Sequence, residues 1–363
     1  MNEMTLMNRA QLQHKLSLGL PVQAVQLNEA TALRNTDLRD AVFEQVSFGF
    51  TDWQGVALAG CTFINCQFAS ASDFSAAQLG QINFIDCQLV AAQFRGQVLR
   101  QCSFTRCDLQ RSDWQHSELT LLMLTECQFG AADFRQVQLQ RCNMASCEFN
   151  GSQFGQAQIS QCGWMDTDFS QLNMSGCRFE QVLLVKSQFR QQSLADQQYL
   201  RCTFTDSQFD QVSLAQAQLF ECDFSRARFN DCDMQQMQGM SCLFAQAQLQ
   251  RCDLSQANLE GTVWQKAQLE AVDFSAANLT KAHLVSARLT DCNLSQANLL
   301  LADLSNAQLD NTEFHRADLS RAFLHGLEPV KKLLRTAILK AARWTDTERQ
   351  RGERRSLAME NEQ

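Results

Sequence analysis

The sequence predicts an all-β solenoid in which each coil is built from four sides of five residues. Three observations indicate this fold: apolar residues recur at every fifth position, small residues precede them by two positions, and like residues recur at every twentieth position. A five-residue step fits neither an α-helix of about 3.6 residues per turn nor an alternating strand. Such regular repetition is typical of solenoids, whose neighbouring repeats bury a continuous core.

The apolar positions, which we call the centres, run at a five-residue step from Phe74 to Leu324. All 51 positions of this series are apolar except Gly239. Because 22 of the 25 phenylalanines are centres, we expect the centres to form the core. Eight earlier centres keep the same step, and one extra residue after the last of them shifts the phase: Leu33, Leu38, Phe43, Phe48, Trp53, Leu58, Phe63 and Phe68.

All 16 cysteines lie two residues before a centre, a position that alanine takes near the end of the chain. A thiol is a small apolar side chain that is commonly buried, so we expect the cysteines to fill the core beside the centres. No C-x-x-C pair occurs and the five histidines share no ligand spacing with the cysteines, so we expect neither a metal nor a disulfide framework. The cysteines are Cys61, Cys66, Cys87, Cys102, Cys107, Cys127, Cys142, Cys147, Cys162, Cys177, Cys202, Cys222, Cys232, Cys242, Cys252 and Cys292.

The twenty-residue recurrence places like residues one coil apart. Phenylalanine occupies six successive centres at this spacing, from Phe129 to Phe229. The simplest geometry is a coil of four sides that is hydrogen-bonded to the next coil at about 4.8 Å. The centre and the small residue then point inward, and the other three residues of each side point outward. The 59 five-residue units predict nearly fifteen coils.

The repeats A-Q-L-x-x, C-D-L-S-Q, A-N-L-x-x and A-D-L-S-x resemble those of the pentapeptide-repeat family. The resemblance covers residues 25–324 and implies a right-handed quadrilateral β-helix. It leaves residues 1–24 as a leader with a capping helix, and residues 325–363 as a C-terminal helical cap with a charged tail.

The N-terminal end of the coil needs a cover, because an open coil exposes its core and its unpaired strand edges. Asn8 can cap a short helix that carries Leu12 and Leu16 on one face. This helix is expected to end at Gly19, before Pro21.

At the other end of the coil, Pro329 is expected to open a helix with one apolar stripe. Thr345 and Glu348 form a second helix-start signal. The stripe either covers the last coil or, as the resemblance to family members that dimerise through a C-terminal segment implies, joins two copies of the chain. Its residues are Val330, Leu333, Leu334, Ala337, Ile338 and Ala341.

Charge and hydropathy limit the classes of function. The chain has 39 acidic and 31 basic residues and a formal net charge of −8, which argues against direct binding of a nucleic-acid backbone. The first twenty residues do not read as a secretory leader, and no stretch of about 18 apolar residues occurs. We therefore expect a cytoplasmic protein without a membrane span.

The sequence predicts a protein without enzyme activity and without a cofactor. Catalysis needs convergent groups in a concave pocket, whereas the outward residues of this coil lie on nearly flat sides. Gly-rich phosphate loops and a Ser-His-Asp arrangement are absent from the sequence. Many aspartates directly precede a centre, and we interpret them as turn residues because glutamine shares their position.

One set of these carboxylates recurs at twenty-residue spacing and forms what we call the acidic column. Pentapeptide-repeat proteins of the quinolone-resistance type mimic DNA in shape and charge and bind type II topoisomerases such as gyrase, so the resemblance implies a DNA-mimic function as one alternative. The repeat body carries only a mild net negative charge, and Arg95 and Arg135 lie beside the column. The column comprises Asp73, Asp113, Asp133, Asp233, Asp253, Asp273 and Glu313.

A second candidate surface, the apolar ridge, consists of Leu200, Phe220 and Met240. Each follows a centre directly and is therefore expected to point outward, and large exposed apolar residues on a polar surface favour a partner-binding site. Gly239 leaves a gap in the core, so Met240 either stays on the outside or swings inward to fill that gap.

We therefore predict a non-enzymatic, rigid bacterial scaffold or adaptor that binds another protein through its flat faces. A further alternative comes from the leader, from Gln11 to Val22, which resembles leaders of pentapeptide-repeat proteins associated with bacterial type VI secretion. Under that alternative the chain is an accessory or adaptor protein of a secretion system. A homodimer through the C-terminal stripe is compatible with each function.

Overall fold

The computed structural model describes residues 4–28, 33–50, 52–195, 197–327, 332–348 and 350. Its contacts divide the chain into two compact units, Met1–Ser187 (unit 1) and Gln188–Gln363 (unit 2). Each unit is a parallel β-solenoid made of strands of two or three residues and single bridges, and together they have about fifteen turns. The predicted fold class is thus confirmed.

Three sheets run along unit 1, each built from strands of successive coils. A four-stranded sheet near the N-terminus comprises β1 (Thr5–Leu6), β3 (Val25–Leu27), β5 (Ser47–Phe48) and β7 (Gln67–Phe68). An eight-stranded sheet comprises β2 (Val22–Gln23), β4 (Val42–Glu44), β6 (Thr62–Ile64), β8 (Asn83–Ile85), β10 (Ser103–Thr105), β12 (Met123–Thr125), β14 (Asn143–Ala145) and β16 (Gly163–Met165). A further side comprises β9 (Val98–Arg100), β11 (Glu118–Thr120), β13 (Gln138–Gln140), β15 (Gln158–Ser160) and β17 (Arg178–Glu180).

Unit 2 repeats this construction. Its main sheet has seven strands: β18 (Gln188–Arg190), β20 (Gln208–Asp210), β22 (Arg228–Asn230), β23 (Gln248–Gln250), β24 (Gln268–Glu270), β25 (Arg288–Thr290) and β26 (Gln308–Asp310). On another side β19 (Gln198–Leu200) pairs with β21 (Gln218–Phe220). The other sides of both units are joined by isolated parallel bridges.

The strand register has the predicted coil length. Phe104 pairs with Leu124, twenty residues later. Phe63 pairs with Phe84, which is 21 residues later, because the extra residue after Phe68 falls inside that coil. Each coil therefore keeps its centres above those of the preceding coil despite the shift in phase.

The predicted inward positions form the core. The ring of Phe209 lies 4.7 Å from that of Phe189 and 4.5 Å from that of Phe229, with interplanar angles of 2° and 5°. All sixteen cysteines are buried, as the sequence predicts. Leu309, on strand β26, is half-buried.

Most corners of the coil place one residue in the left-handed backbone region. The residue two positions after a centre has a φ near +55°, for example +58° at Gln216 and +57° at Lys266. Side chains branched at Cβ are disfavoured in this region, and no Val, Ile or Thr has a positive φ in the described ranges. At Gly60, with φ +76°, an added Cβ would lie 2.1 Å from Asp40 Oδ1, so any other residue there would require the Asp40 side chain to move.

The N-terminal helix forms as predicted. Helix α1 (Arg9–Ser17) begins with a capping box, in which Asn8 Oδ1 accepts from Gln11 N and Gln11 Oε1 accepts from Asn8 N, both at 3.0 Å. Leu12 is fully buried and Leu16 half-buried. The helix contacts strand β2 of the first coil.

The predicted C-terminal helix is wrong in the described residues. A short 3₁₀ helix (Leu333–Thr336) is followed by two further coil sides, in which Ile338 pairs with Asp318 and Arg343 with Phe323. The amide of Ile338 donates to Ala317 O at 2.8 Å. Pairing with the preceding coil thus satisfies backbone groups that a helix would have to leave exposed at its ends.

The five-residue step explains this correction, since Leu334, Leu339 and Trp344 continue the series of centres. The structure also differs from the prediction that Thr345 and Glu348 start a second helix. Thr345 Oγ1 accepts from Gly326 N at 3.1 Å, and Asp346 Oδ1, not Thr345, accepts from Glu348 N at 2.9 Å.

Candidate protein-binding surfaces

The apolar ridge lies on the outside of one side of unit 2. Leu200 pairs in register with Phe220, and Met240 follows one coil later, where its carbonyl oxygen accepts from Glu221 N at 3.2 Å. The side chain of Phe220 is 37% exposed, and those of Leu200 and Met240 are half-buried. The structure therefore brings the three predicted residues together as stacked neighbours.

The gap at Gly239 is filled without an inward turn of Met240. Gly239 N donates to Asn258 O at 2.8 Å, so the backbone ladder is regular at this point. An added Cβ on Gly239 would lie 3.0 Å from Met237 Cε and 3.2 Å from Leu259 Cδ2. These two side chains occupy the gap, and Met240 stays on the outer surface.

Two apolar residues that the sequence analysis passed over continue the ridge around the next corner. Leu243 lies three residues after Met240, is 39% exposed and forms a bridge with the half-buried Val263. Both occupy the position before a centre, where Asp, Asn and Gln prevail. A search for apolar residues at this outward position would have found them in the sequence.

The aspartates of the acidic column make turns, as the sequence interpretation proposed. In each case Oδ1 accepts from the backbone amide two residues later, at 2.9 Å for Asp113, 3.1 Å for Asp133 and 2.8 Å for Asp253. Asp73, Asp233 and Asp273 make the same bond. One oxygen of each carboxylate therefore supports the backbone, which leaves Oδ2 to face neighbours or solvent.

Arginines compensate the column in unit 1. Arg135 Nη2 lies 2.6 Å from Asp133 Oδ2, and Arg95 Nη1 lies 3.9 Å from Asp113 Oδ2. Partial burial alone would raise the pKa of Asp133, but the hydrogen bonds from Arg135 outweigh it and hold that pKa below its usual range. The negative charge on this part of the column is therefore largely paired.

The column in unit 2 differs, because Asp233, Asp253 and Asp273 are consecutive bridge partners without an ion pair to any lysine or arginine of the described ranges. Their neighbours are neutral donors: the Ser213 hydroxyl donates to Asp233 and the Gln235 amide to Asp253. Three uncompensated carboxylates thus lie one coil apart.

The predicted C-terminal stripe does not form one face. Leu334 is buried, Leu333 and Ala337 are half-buried, and Ile338 is 52% exposed on the outside of a coil side; Val330 lies outside the described residues. A shallow apolar cleft of about 430 Å³ is found there instead, lined by Leu334, Arg335, Ala337, Leu339 and Trp344. Its Trp344 side chain is 47% exposed.

Comparison with family models identifies the repeats. The model described as a pentapeptide repeat region matches residues 56–134 and 202–273, and that described as pentapeptide repeats of eight copies matches residues 123–161 and 287–326. Together these matches cover more than half of the chain. The chain belongs to the pentapeptide-repeat family.

Solved pentapeptide-repeat structures are among the chains similar to this one. HetL, a protein involved in heterocyst differentiation regulation in Nostoc sp. strain PCC 7120, is 18% identical over 69% of this chain and 87% of its own, with a TM-score of 0.21. QnrB1, a plasmid-mediated fluoroquinolone resistance protein, is 20% identical over 62% of this chain and 94% of its own, with a TM-score of 0.22. No curated protein sequence shows significant similarity.

The cysteines of this pentapeptide-repeat core are shielded from solvent. Burial raises the pKa of Cys61 and of Cys177 to about 12 and that of Cys292 to about 11. A thiol with a raised pKa stays protonated and is a poor nucleophile or metal ligand at neutral pH. Burial therefore favours a packing role for these three cysteines.

The concave regions of the pentapeptide-repeat units are shallow. A groove of about 460 Å³ in unit 2 is lined mainly by polar residues such as Arg228, Gln248, Gln268, Glu270 and Arg288, and one of about 760 Å³ follows the end of α1. The described residues contain no group of three or more His, Cys, Asp or Glu that could hold a metal ion. Within the same ranges, no helix is long and apolar enough to cross a membrane.

Proposed function

We propose that this chain is a non-enzymatic scaffold that binds another protein through the apolar ridge of unit 2. The observation that carries this proposal is the exposure of Phe220, an aromatic side chain on an outward position between Leu200 and Met240. Aromatic residues in an apolar centre with a polar surround contribute most to binding at protein interfaces.

The surroundings of the ridge support this proposal. Gln218 lies two residues before Phe220 on the same strand and is exposed, and Glu221 follows it at the corner. Leu243 and Val263 extend the apolar area to the adjacent side. This arrangement fits a partner with an apolar surface that wraps one corner of the solenoid.

Affinity capture with matched baits tests the proposal. The wild-type chain, Phe220→Asp and Val98→Asp serve as baits in extracts of the native host; Val98 is 46% exposed on strand β9 of unit 1 and controls for loss of an exposed apolar residue. We expect one partner to be captured by the wild type and by Val98→Asp and to be lost from Phe220→Asp. Retention of every partner by a folded Phe220→Asp chain would contradict the proposal.

A second function, binding of a type II topoisomerase through a DNA-like acidic face, is favoured by the three uncompensated carboxylates in unit 2. A gyrase supercoiling assay at micromolar protein tests it. Inhibition or quinolone protection by the wild type that is lost in an Asp233→Asn, Asp253→Asn, Asp273→Asn variant supports this function. An unaffected reaction removes it. Asparagine keeps the side-chain oxygen that accepts the turn hydrogen bond, so the variant is expected to fold like the wild type.

A further inference from the structure

On the eight-stranded side of unit 1, the two outward residues of each strand from β6 onward carry no charge, whereas the preceding strand β4 ends in Glu44. We call this surface the uncharged strip: the outward residues of strands β6 to β16, together with Leu183, which pairs with Gly163, and Val185. Its fourteen members are Thr62, Ile64, Asn83, Ile85, Ser103, Thr105, Met123, Thr125, Asn143, Ala145, Gly163, Met165, Leu183 and Val185.

The absence of charge from this strip is not a property of the surface as a whole. Charged residues make up 19% of the chain, so about three are expected among fourteen positions, and more on an outer surface. The same outward positions on another side of unit 1 carry Arg95, Asp113, Asp133 and Arg135. The strip therefore differs in kind from its neighbours.

The strip has an apolar middle and a charged edge. Met123 is 56% exposed, Met165 42% and Leu183 47%, and Leu121 at the adjoining corner is 42% exposed. Along the opposite corner, Arg106 Nε lies 2.7 Å from Asp86 Oδ1. An apolar centre with a polar rim is the usual anatomy of a protein interface.

The geometry of the strip fits a two-fold contact. Seven coil positions at about 4.8 Å span about 29 Å, and Met123 and Thr125 occupy the fourth of the seven. A two-fold axis through the middle of the strip would place Met123 against Met123 of a second copy, as an isologous interface requires. The flexible thioether of methionine adapts readily to such a contact.

The size of the strip sets the strength of the contact. A three-residue side at about 3.3 Å per residue is about 10 Å wide, which gives a flat area of about 300 Å², and about 500 Å² with the two corners. Stable complexes bury about 800 Å² per partner, whereas weaker encounters bury less than about 600 Å². The contact therefore belongs to the weak, concentration-dependent class.

We propose that the uncharged strip is a homodimerisation surface through which two copies of this chain associate face to face. A flat surface without charge is complementary to itself, because it carries no charge pattern that a second copy could mismatch. The rest of the chain has a net charge of −8, so two copies repel each other elsewhere. Salt screens that repulsion, and association is therefore expected to strengthen as the salt concentration rises.

Sedimentation velocity over 1 to 200 µM protein (about the range in which weak complexes form) tests the proposal with two variants. Met123→Lys places two like charges together at the centre of the contact, and Val98→Lys makes the same change on another side of unit 1. We expect the wild type and Val98→Lys to dimerise, with dimerisation favoured at high salt, and Met123→Lys to bind itself at least tenfold more weakly. Circular dichroism confirms that both variants are folded.

Three results would overturn the proposal. The first is a wild-type chain that stays monomeric throughout the concentration range. The second is a Met123→Lys chain that dimerises as well as the wild type. The third is a dimer that survives Met123→Lys and is lost in an Ile338→Asp variant, which changes an exposed residue at the C-terminal end, since that result assigns the contact to that end.

Discussion

Replacing Phe224 and Phe220 by alanine, one at a time, tests the division between inward and outward positions. The two phenylalanines are four residues apart. Phe224 is a fully buried centre whose ring stacks 4.8 Å from Phe204 and 5.1 Å from Phe244, with interplanar angles of 6° and 11°. Phe220 is 37% exposed on the outside of the same coil.

The expected magnitudes differ several-fold. Removing a fully buried phenylalanine ring costs about 3–5 kcal/mol, because the lost burial is followed by a cavity that relaxes only in part. Phe224→Ala also removes two stacked ring pairs from the core. Phe220→Ala leaves no cavity and removes only part of the about 1.5–3 kcal/mol that full burial supplies, so we expect a loss of about 1 kcal/mol.

Urea unfolding followed by far-UV circular dichroism and tryptophan fluorescence measures both changes. Trp264 reports on this stack, because its ring lies 4.1 Å from that of Phe244. In solenoids stability depends on contacts between neighbouring repeats, so part of the chain can unfold separately. The urea midpoint is therefore compared only between variants with the same slope m of unfolding free energy against urea concentration. Equal losses in the two variants, or a larger loss in Phe220→Ala, would refute the assignment of inward and outward positions.

Three further predictions concern corners, thiols and carboxylates. At the exposed corner residue Ala276, with φ +55°, we expect Ala276→Val to lower the free energy of unfolding by about 1–2 kcal/mol and Ala276→Asn to leave it nearly unchanged; equal urea midpoints would contradict this. The pKa is raised to about 12 for Cys61 and to about 11 for Cys292, which contributes stability that is complete below about pH 8.5 and is lost as the pH rises through those values. Thermal unfolding should therefore occur at a lower temperature at pH 11 than at pH 8. A constant Tm would be incompatible with buried thiols. The lowered pKa of Asp133 contributes stability that is present above about pH 4 and lost as the pH falls. Asp133→Asn should lower the free energy of unfolding by less than about 1 kcal/mol at pH 7, because its partner Arg135 is exposed, and by less at pH 2. A larger loss at pH 2 than at pH 7 would contradict this sign.

Most of the fold follows from the sequence because one rule repeats at every side. A centre such as Phe209 and a small residue such as Cys222 must point inward wherever the step of five is kept, and the parallel pairing between coils then follows from the step of twenty. The phase shift after Phe68 was visible for the same reason, since one inserted residue displaces all later centres.

The C-terminal end could not be predicted in this way. Over Leu334 to Ala341 the apolar residues fit both a helix stripe and the five-residue step, so local pattern alone does not decide between them. The coil side is favoured by the preceding coil, where Ala317 O accepts a hydrogen bond from the amide of Ile338. Such a non-local contact is not encoded in the pattern of the segment itself.

The candidate surfaces show a similar limit. The apolar ridge was found because Phe220 interrupts a polar position, and the structure places it where the step predicts. Leu243 and the uncharged strip were missed, because they become apparent only when residues twenty apart are compared at outward positions as well as at centres. The corner rule was missed too, because a positive φ at residues such as Gln216 is a backbone property that leaves only an absence of branched side chains in the sequence.

Alkylation of the native chain followed by intact-protein mass spectrometry tests the central claim, that each five-residue side hides two residues and exposes three. The wild-type chain should gain almost no label under native conditions and sixteen labels in denaturant, since all sixteen thiols are buried. A Gln248→Cys variant, which adds a thiol at an exposed outward position of β23, should gain one label rapidly without denaturant. Rapid native labelling of most wild-type thiols, or protection of the added one, would contradict the claim.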